Sequence, residues 1–136
     1  MSHMPARIHI VDDDPSVARA LKRLLCSWGM QARTFTSAKA FLADLSACRE
    51  IDCAVIDVRM PEMTGFEVRR RMQQAGRQIP IIFITANEAP EIETEALQGG
   101  AAGFLRKPFS DQALVDLIHR ALRRALGADL LMERMR

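Results

Sequence analysis

Ile8-His-Ile-Val-Asp-Asp-Asp-Pro15 joins a β-rich apolar run to three consecutive carboxylates and the first turn of a helix. A strand that passes straight into a helix opens a βαβ unit, and the same alternation continues along the chain. Further apolar runs stand at Cys53-Ala-Val-Ile56, Ile79 to Ile84 and Gly103-Phe-Leu105, with a weaker one at Gln31 to Phe35. Helical patterns separate them. Asp14 can cap the first, Pro15 suits its first turn, and Val17, Leu21, Leu24, Leu25 and Trp28 share one face before Gly29 ends it. Helix candidates follow at Ala38 to Leu45, Gly65 to Ala75 and Pro90 to Gln98, the last holding Ile92, Ala96 and Leu97. After Ser110, Leu114, Leu117, Ile118, Ala121, Leu122 and Ala125 form a stripe of helical period that must pack on the sheet. The central strands are apolar throughout, which fits strands covered by helices on both faces. The fold class is therefore α/β, with five βα units and a mostly parallel sheet.

Composition narrows the function classes. The 136 residues are 49% hydrophobic and 26% charged, enough for one buried core and unlike a disordered or low-complexity chain. Three cysteines, Cys26, Cys48 and Cys53, cannot close a set of bridges and lack metal-site spacing, so they read as reduced thiols of a cytoplasmic protein. Cys26, Cys53 and Trp28 are expected at core-facing positions, and His9 and His119 have no metal-ligand companion. A pI of about 8.6 falls short of a strongly basic DNA-binding domain, so Arg69-Arg-Arg71, Arg120, Arg123 and Arg124 read as solvated faces. Ile79 to Ile84 is far too short to cross a bilayer, so no membrane span is expected. Residues 1–4, Met-Ser-His-Met, look like a cloning remnant. The domain is expected over 5–126, and 127–136 as a C-terminal tail or the start of a linker.

In open parallel sheets, reactive groups gather where strands end at their carboxyl edge. Asp12, Asp13 and Asp14 follow the first apolar run, Asp57 the third, Thr85 the fourth, and Arg106 and Lys107 the fifth. If the first and third strands are neighbours, several carboxylates converge, and such charges repel and raise one another's pKa. A hard divalent cation, for which oxygen ligands are the natural set, or the ammonium of Lys107 can compensate. A carboxylate left uncoordinated could act as a nucleophile towards a phosphoryl group.

Val11-Asp-Asp-Asp14, Ile56-Asp-Val-Arg-Met-Pro61 with Gly65 soon after, Ile84-Thr-Ala86 and Phe104-Leu-Arg-Lys-Pro-Phe109 resemble the four signatures of the two-component response regulator receiver (CheY-like) domain. Each is common alone; their joint order and spacing, over roughly residues 7 to 125, are specific. The resemblance implies a flavodoxin-like (βα)5 fold with strand order 2-1-3-4-5. It implies that Asp57 is the phosphoacceptor and that Asp12 and Asp13 hold Mg²⁺, or Mn²⁺ as a substitute, with Asp13 the direct ligand. The backbone carbonyl of Arg59 and Asp57 itself would complete the metal's protein ligands. Thr85 matches the hydroxyl that contacts the phosphoryl group, Lys107 its pairing cation, and Phe104 the switch aromatic; Lys107-Pro108 corresponds to a cis peptide. The implied partner is a sensor histidine kinase, with a phosphorylation-dependent homodimer through the fourth helix and fifth strand. Strand and loop details look most like FixJ/NarL-type regulators, which implies DNA binding by an output domain of a longer parent and none by this segment.

Arg59 and Asn87 lie two residues after Asp57 and Thr85, where side chains vary across that family. An Arg at 59 could shield the phosphoryl group and slow its loss. Two other functions share parts of the pattern. A dehalogenase-like Mg²⁺ phosphohydrolase also uses an Asp nucleophile, but with Asp-x-Asp after the first strand and a cap insertion. An FMN-binding flavodoxin would need a hydroxyl-rich phosphate loop. A stand-alone receiver acting by protein contact is a further reading, and none of the receiver readings has the chain turning over an external substrate. Asp14 alone is read as a helix cap, and Gly99-Gly-Ala-Ala-Gly103, which precedes a strand, as a helix stop.

Overall fold

The computed structural model describes residues 4–47 and 50–134, with side chains described no further than Gly127 on the last helix. Its elements alternate without exception: β1 (Arg7–Val11), α1 (Pro15–Ser27), β2 (Gln31–Phe35), α2 (Ala38–Ser46), β3 (Cys53–Asp57), α3 (Gly65–Gln74), β4 (Ile81–Thr85), α4 (Pro90–Gln98), β5 (Gly103–Arg106) and α5 (Asp111–Arg134). All four strand pairings are parallel and the order is β2-β1-β3-β4-β5, as the resemblance implies. Parallel strands need long crossover connections, which α1 to α4 supply, while α5 follows the last strand.

Successive side chains of a strand point to opposite faces, so each apolar strand feeds two cores. Ile8, Ile10, Cys53, Val55, Ile82 and Ile84 pack beneath α1 and α5, against Leu21, Leu25, Leu114 and Ile118. Val11, Ala54, Ile56 and Phe83 pack beneath α2, α3 and α4, against Phe41, Leu45, Phe66 and Met72. This two-sided burial is why β3 and β4 carry no polar residue until they reach Asp57 and Thr85.

The helix starts follow local chemistry. Asp14 accepts from the Ser16 and Val17 N–H groups, at 2.9 and 3.5 Å. Ser37, Thr64 and Ser110 do the same for Ala40, Glu67 and Ala113. Helix α4 differs, because Ala89 provides no side-chain cap. Gly100, at φ +89°, follows α4 and stops it as expected.

Two expectations about α1 are corrected. Its buried stripe is Ala18, Leu21 and Leu25, which turns Cys26 a further 100° round the helix to an exposed position. Trp28 lies beyond the last helical residue, is 47% exposed, and sets its ring edge-on to His119 at 6.2 Å. Cys53 is fully buried as expected, and burial pushes its thiol up to about 12. Of Arg69-Arg-Arg71, the second and third stay on a solvated face beside Glu67, whereas Arg69 turns onto the end of α4. Helix α5 continues through Gly127 to Arg134, so no break in the helix marks residue 126. Residues 1–3, Cys48 and residues 135–136 lie outside the described residues. Among those described, no helix is long and apolar enough to cross a membrane.

Candidate functional site

Strands β1 and β3 are adjacent, with Val11 opposite Ile56, so Asp12 and Asp57 leave the sheet side by side at its carboxyl edge. Oxygen atoms of Asp12, Asp13 and Asp57 all lie within 4.8 Å of one another. Asp12 is fully buried, Asp57 is 7% exposed and Asp13 is exposed. Each buried carboxylate is oriented from its own loop. The Asp14 N–H donates to Asp12 Oδ1 at 2.9 Å, and the Arg59 N–H donates to Asp57 Oδ1 at 3.0 Å.

Lys107 reaches this hollow from the end of β5. Its N–H donates to the Thr85 carbonyl at 2.8 Å, and the following Lys107-Pro108 peptide is cis. Its Nζ donates to Asp12 Oδ2 at 2.9 Å and to Asp57 Oδ2 at 3.1 Å. Gly65 allows the loop after β3 to fold back tightly. Its N–H donates to the Val58 carbonyl, and a Cβ there would stand 2.7 Å from the Asp57 carbonyl oxygen.

The electrostatics are divided. Burial is the largest influence on Asp57 and outweighs the hydrogen bonds from Lys107 and Arg59, so its pKa rises; the Asp12 charge adds to this. Burial also works against the Lys107 ammonium, but the bonds to Asp12 and Asp57 together overcome it, and its pKa rises. One ammonium thus serves two buried carboxylates with a third beside them. The net charge of the hollow is negative, and its donor set is all oxygen, which suits a hard divalent cation and not zinc.

Thr85 is fully buried at the next strand end. Its Oγ accepts from the Asn87 N–H at 3.1 Å, and Asn87 Oδ1 in turn accepts from the Ala89 N–H at 2.8 Å. Two hydrogen bonds therefore lead from the Thr85 hydroxyl to the start of α4. Phe104 lies half-buried on β5, with the Arg106 guanidinium 5.1 Å from its ring centroid. Arg106 also donates to Glu93 at 2.8 Å and to the Ala89 carbonyl at 3.3 Å. Asn87's link to α4 and the reach of Arg106 were not legible in the sequence. An Asn followed two residues later by a helix start was the available signal for the first.

The chain has relatives among known proteins. Residues 8–119 match the response regulator receiver domain model. The chain is 42% identical over 127 residues to the response regulator protein TmoT of Ectopseudomonas mendocina, covering 92% of this chain and 56% of that protein. It is 36% identical over 118 residues to the transcriptional regulatory protein FixJ of Azorhizobium caulinodans, covering 87% and 56% respectively. A crystal structure of FixJ-N superposes with a TM-score of 0.81 at 35% identity, covering 89% of this chain and 96% of that one. The chain spans about half the length of the curated relatives it matches. Four strand-end signatures, the strand order and these similarities agree: the chain belongs to the response regulator receiver domain family.

Proposed function

We propose that this domain accepts a phosphoryl group on Asp57 from the phosphohistidine of a sensor histidine kinase. The P–N bond breaks as a P–O bond forms to an Asp57 carboxylate oxygen, and the imidazole keeps the electron pair. One observation carries this reading. Lys107 Nζ lies between Asp12 and Asp57, so a cation is already in place for charge that builds on transferring oxygens. Asp12, Asp13, Asp57 and the Arg59 carbonyl would hold Mg²⁺, or Mn²⁺ in its stead. Asp13 is the open ligand, because it is exposed, whereas Asp12 is fully buried and accepts from the Asp14 N–H and Lys107. Bound there, the metal would supply charge neutralisation at the phosphoryl oxygens.

The rest of the site reads out the new charge. Phosphorylation adds roughly two negative charges and strong acceptor oxygens. Thr85 donates its hydroxyl to them and moves inward, and Phe104 follows into the space it leaves, which alters the face formed by α4 and β5. A phosphorylation-dependent homodimer through that face is the expected readout. In a longer cytoplasmic parent it would control a DNA-binding output domain, as the name of FixJ as a transcriptional regulator suggests. The domain turns over no external substrate, and the long side chain of Arg59, two residues after Asp57, would shield the phosphoryl group from water. The stand-alone reading shares every step up to the altered face.

A small-molecule phosphodonor with Mg²⁺, followed by intact mass, tests the acceptor. The wild type gains one phosphoryl group and Asp57→Asn gains none. Equal labelling of the variant overturns the assignment. Sizing with and without beryllofluoride, a mimic of the bound phosphoryl group, tests the dimer, and an unchanged elution volume removes it.

A further inference from the structure

Arg69 sits one helix away from the phosphoacceptor and takes no part in the chemistry above. From α3 it reaches the far end of α4, where its guanidinium donates to the Ala96 carbonyl at 2.9 Å and to the Glu95 carbonyl at 3.3 Å. These belong to the last turn of α4, where the Glu95 carbonyl also accepts from the Gly99 N–H at 3.2 Å and the Ala96 carbonyl from the Ala101 N–H at 3.1 Å, so the guanidinium is a second donor to each. The same guanidinium lies over the rings of Phe83 and Phe66, at 5.0 and 5.4 Å from their centroids, and those rings pack edge to face at 4.9 Å. Gly99, the C-cap of α4, leaves it room: a Cβ at that position would collide with the guanidinium. Ala96, the residue that receives the shorter bond, is also the one α4 residue fully buried in the core.

The opposite end of α4 is held differently. Ala89 provides no cap, Arg106 pairs with part-exposed Glu93 and donates one bond to the Ala89 carbonyl at 3.3 Å, and a pair of hydrogen bonds runs from Thr85 through Asn87 to the Ala89 N–H. A displacement of the Thr85 hydroxyl therefore pulls on the first turn of α4. The last turn is fixed to α3 and to β4's Phe83 by packed, multiply bonded contacts.

We propose that Arg69 is the pivot of α4: a positioning residue that fixes the helix's C-terminal end, so that changes at Thr85 swing its N-terminal end in place of shifting the helix as a body. This inference rests on the receiver reading, which supplies the stimulus. Gly99→Ala offers an independent way to dislodge the guanidinium, since its backbone, at φ −81°, accepts alanine.

Backbone amide shifts and hydrogen exchange, with and without beryllofluoride plus Mg²⁺, test it. In the wild type, shift changes are expected over residues 85–93 and at Lys107, and near none over residues 96–101. In Arg69→Met, and separately in Gly99→Ala, the changes spread to residues 96–101, and exchange of the Gly99 and Gly100 amides rises about tenfold even without the mimic. Arg69→Lys, which keeps a donor to Ala96, recovers most of the wild-type protection. Gly99→Ala adds nothing in the Arg69→Met background, because nothing remains for its Cβ to displace. If residues 96–101 of the wild type shift as strongly as residues 85–93, or if Arg69→Met leaves their protection unchanged, Arg69 is no pivot. If beryllofluoride changes no shift at residues 57, 85 or 107, the receiver reading itself fails and the pivot falls with it.

Discussion

Helices α1 and α4 begin alike, each with a proline in its first turn, and they end up held in opposite ways. Helix α1 has a carboxylate cap, three buried residues and a start that is tied to the site, since the Asp14 N–H orients Asp12. Helix α4 has no side-chain cap, one buried residue, and guanidinium groups from other elements at both ends. Segments with few buried apolar contacts open at low free energy, whereas core elements open only with the whole fold. The difference assigns the work. An acidic hollow needs a rigid edge to hold repelling carboxylates together, and the readout proposed for α4 needs an element with little to lose by moving. Both helices lie chiefly beside an edge strand, α1 beside β2 and α4 beside β5, so burial and capping, not place in the sheet, set them apart.

The largest effect expected from this contrast is at Leu25, which is fully buried under α1. Leu25→Ala removes a core side chain and leaves a cavity, a loss of about 2–5 kcal/mol in comparable cores. The equivalent truncation in α4, Leu97→Ala, touches a side chain that is 49% exposed and is expected within about 0.5 kcal/mol of the wild type. Denaturant midpoints at constant slope measure both. Similar losses for the two would mean that α4 is as deeply anchored as α1.

A smaller effect sharpens the link between α1 and the site. Asp14→Ala deletes the cap that accepts from Ser16 and Val17, at a cost of about 1 kcal/mol. The Asp14 N–H survives this change, so Asp12 keeps its hydrogen bond and phosphodonor labelling of Asp57 should persist. Loss of labelling with full retention of fold would show that the Asp14 carboxylate belongs to the site and is more than a cap.

What could be read from the chain follows the same division. Short apolar runs with a polar residue directly after them locate β3 and β4 to within two residues at each end, and Asp57, Thr85 and Lys107 fall where strands end. That much is local chemistry. Strand order is not local: any permutation of five equally apolar strands has the same periodicity, and the order came with the family signatures. Cys26 was misplaced because it follows the buried Leu25 and so turns off the stripe, and Trp28 because helical period defines a stripe but not where the helix stops. Arg69 and Arg106 were illegible for another reason. A long cation on a helix or strand surface reads as solvated, and only the tertiary neighbour decides whether its guanidinium meets water or the open end of another helix.

The smallest effect tests the loose end of α4 directly. Glu93 pairs with Arg106 at 2.8 Å, but the two side chains are 44% and 34% exposed. Pairs this open are worth about 0–1 kcal/mol and weaken in salt. In Glu93→Ala the Arg106 guanidinium still has the Ala89 carbonyl and the Phe104 ring. The expected loss is therefore at the low end of that range, about 0.3 kcal/mol at low ionic strength, and vanishes as salt is raised. Thermal or urea unfolding at two salt concentrations measures it. A loss as large as that of Asp14→Ala, or one that salt does not diminish, would show the N-terminal end of α4 to be held as firmly as that of α1. Phosphorylation would then have to break a strong contact before it could move the helix, and the swing about Arg69 would demand far more than the displacement of one hydroxyl supplies.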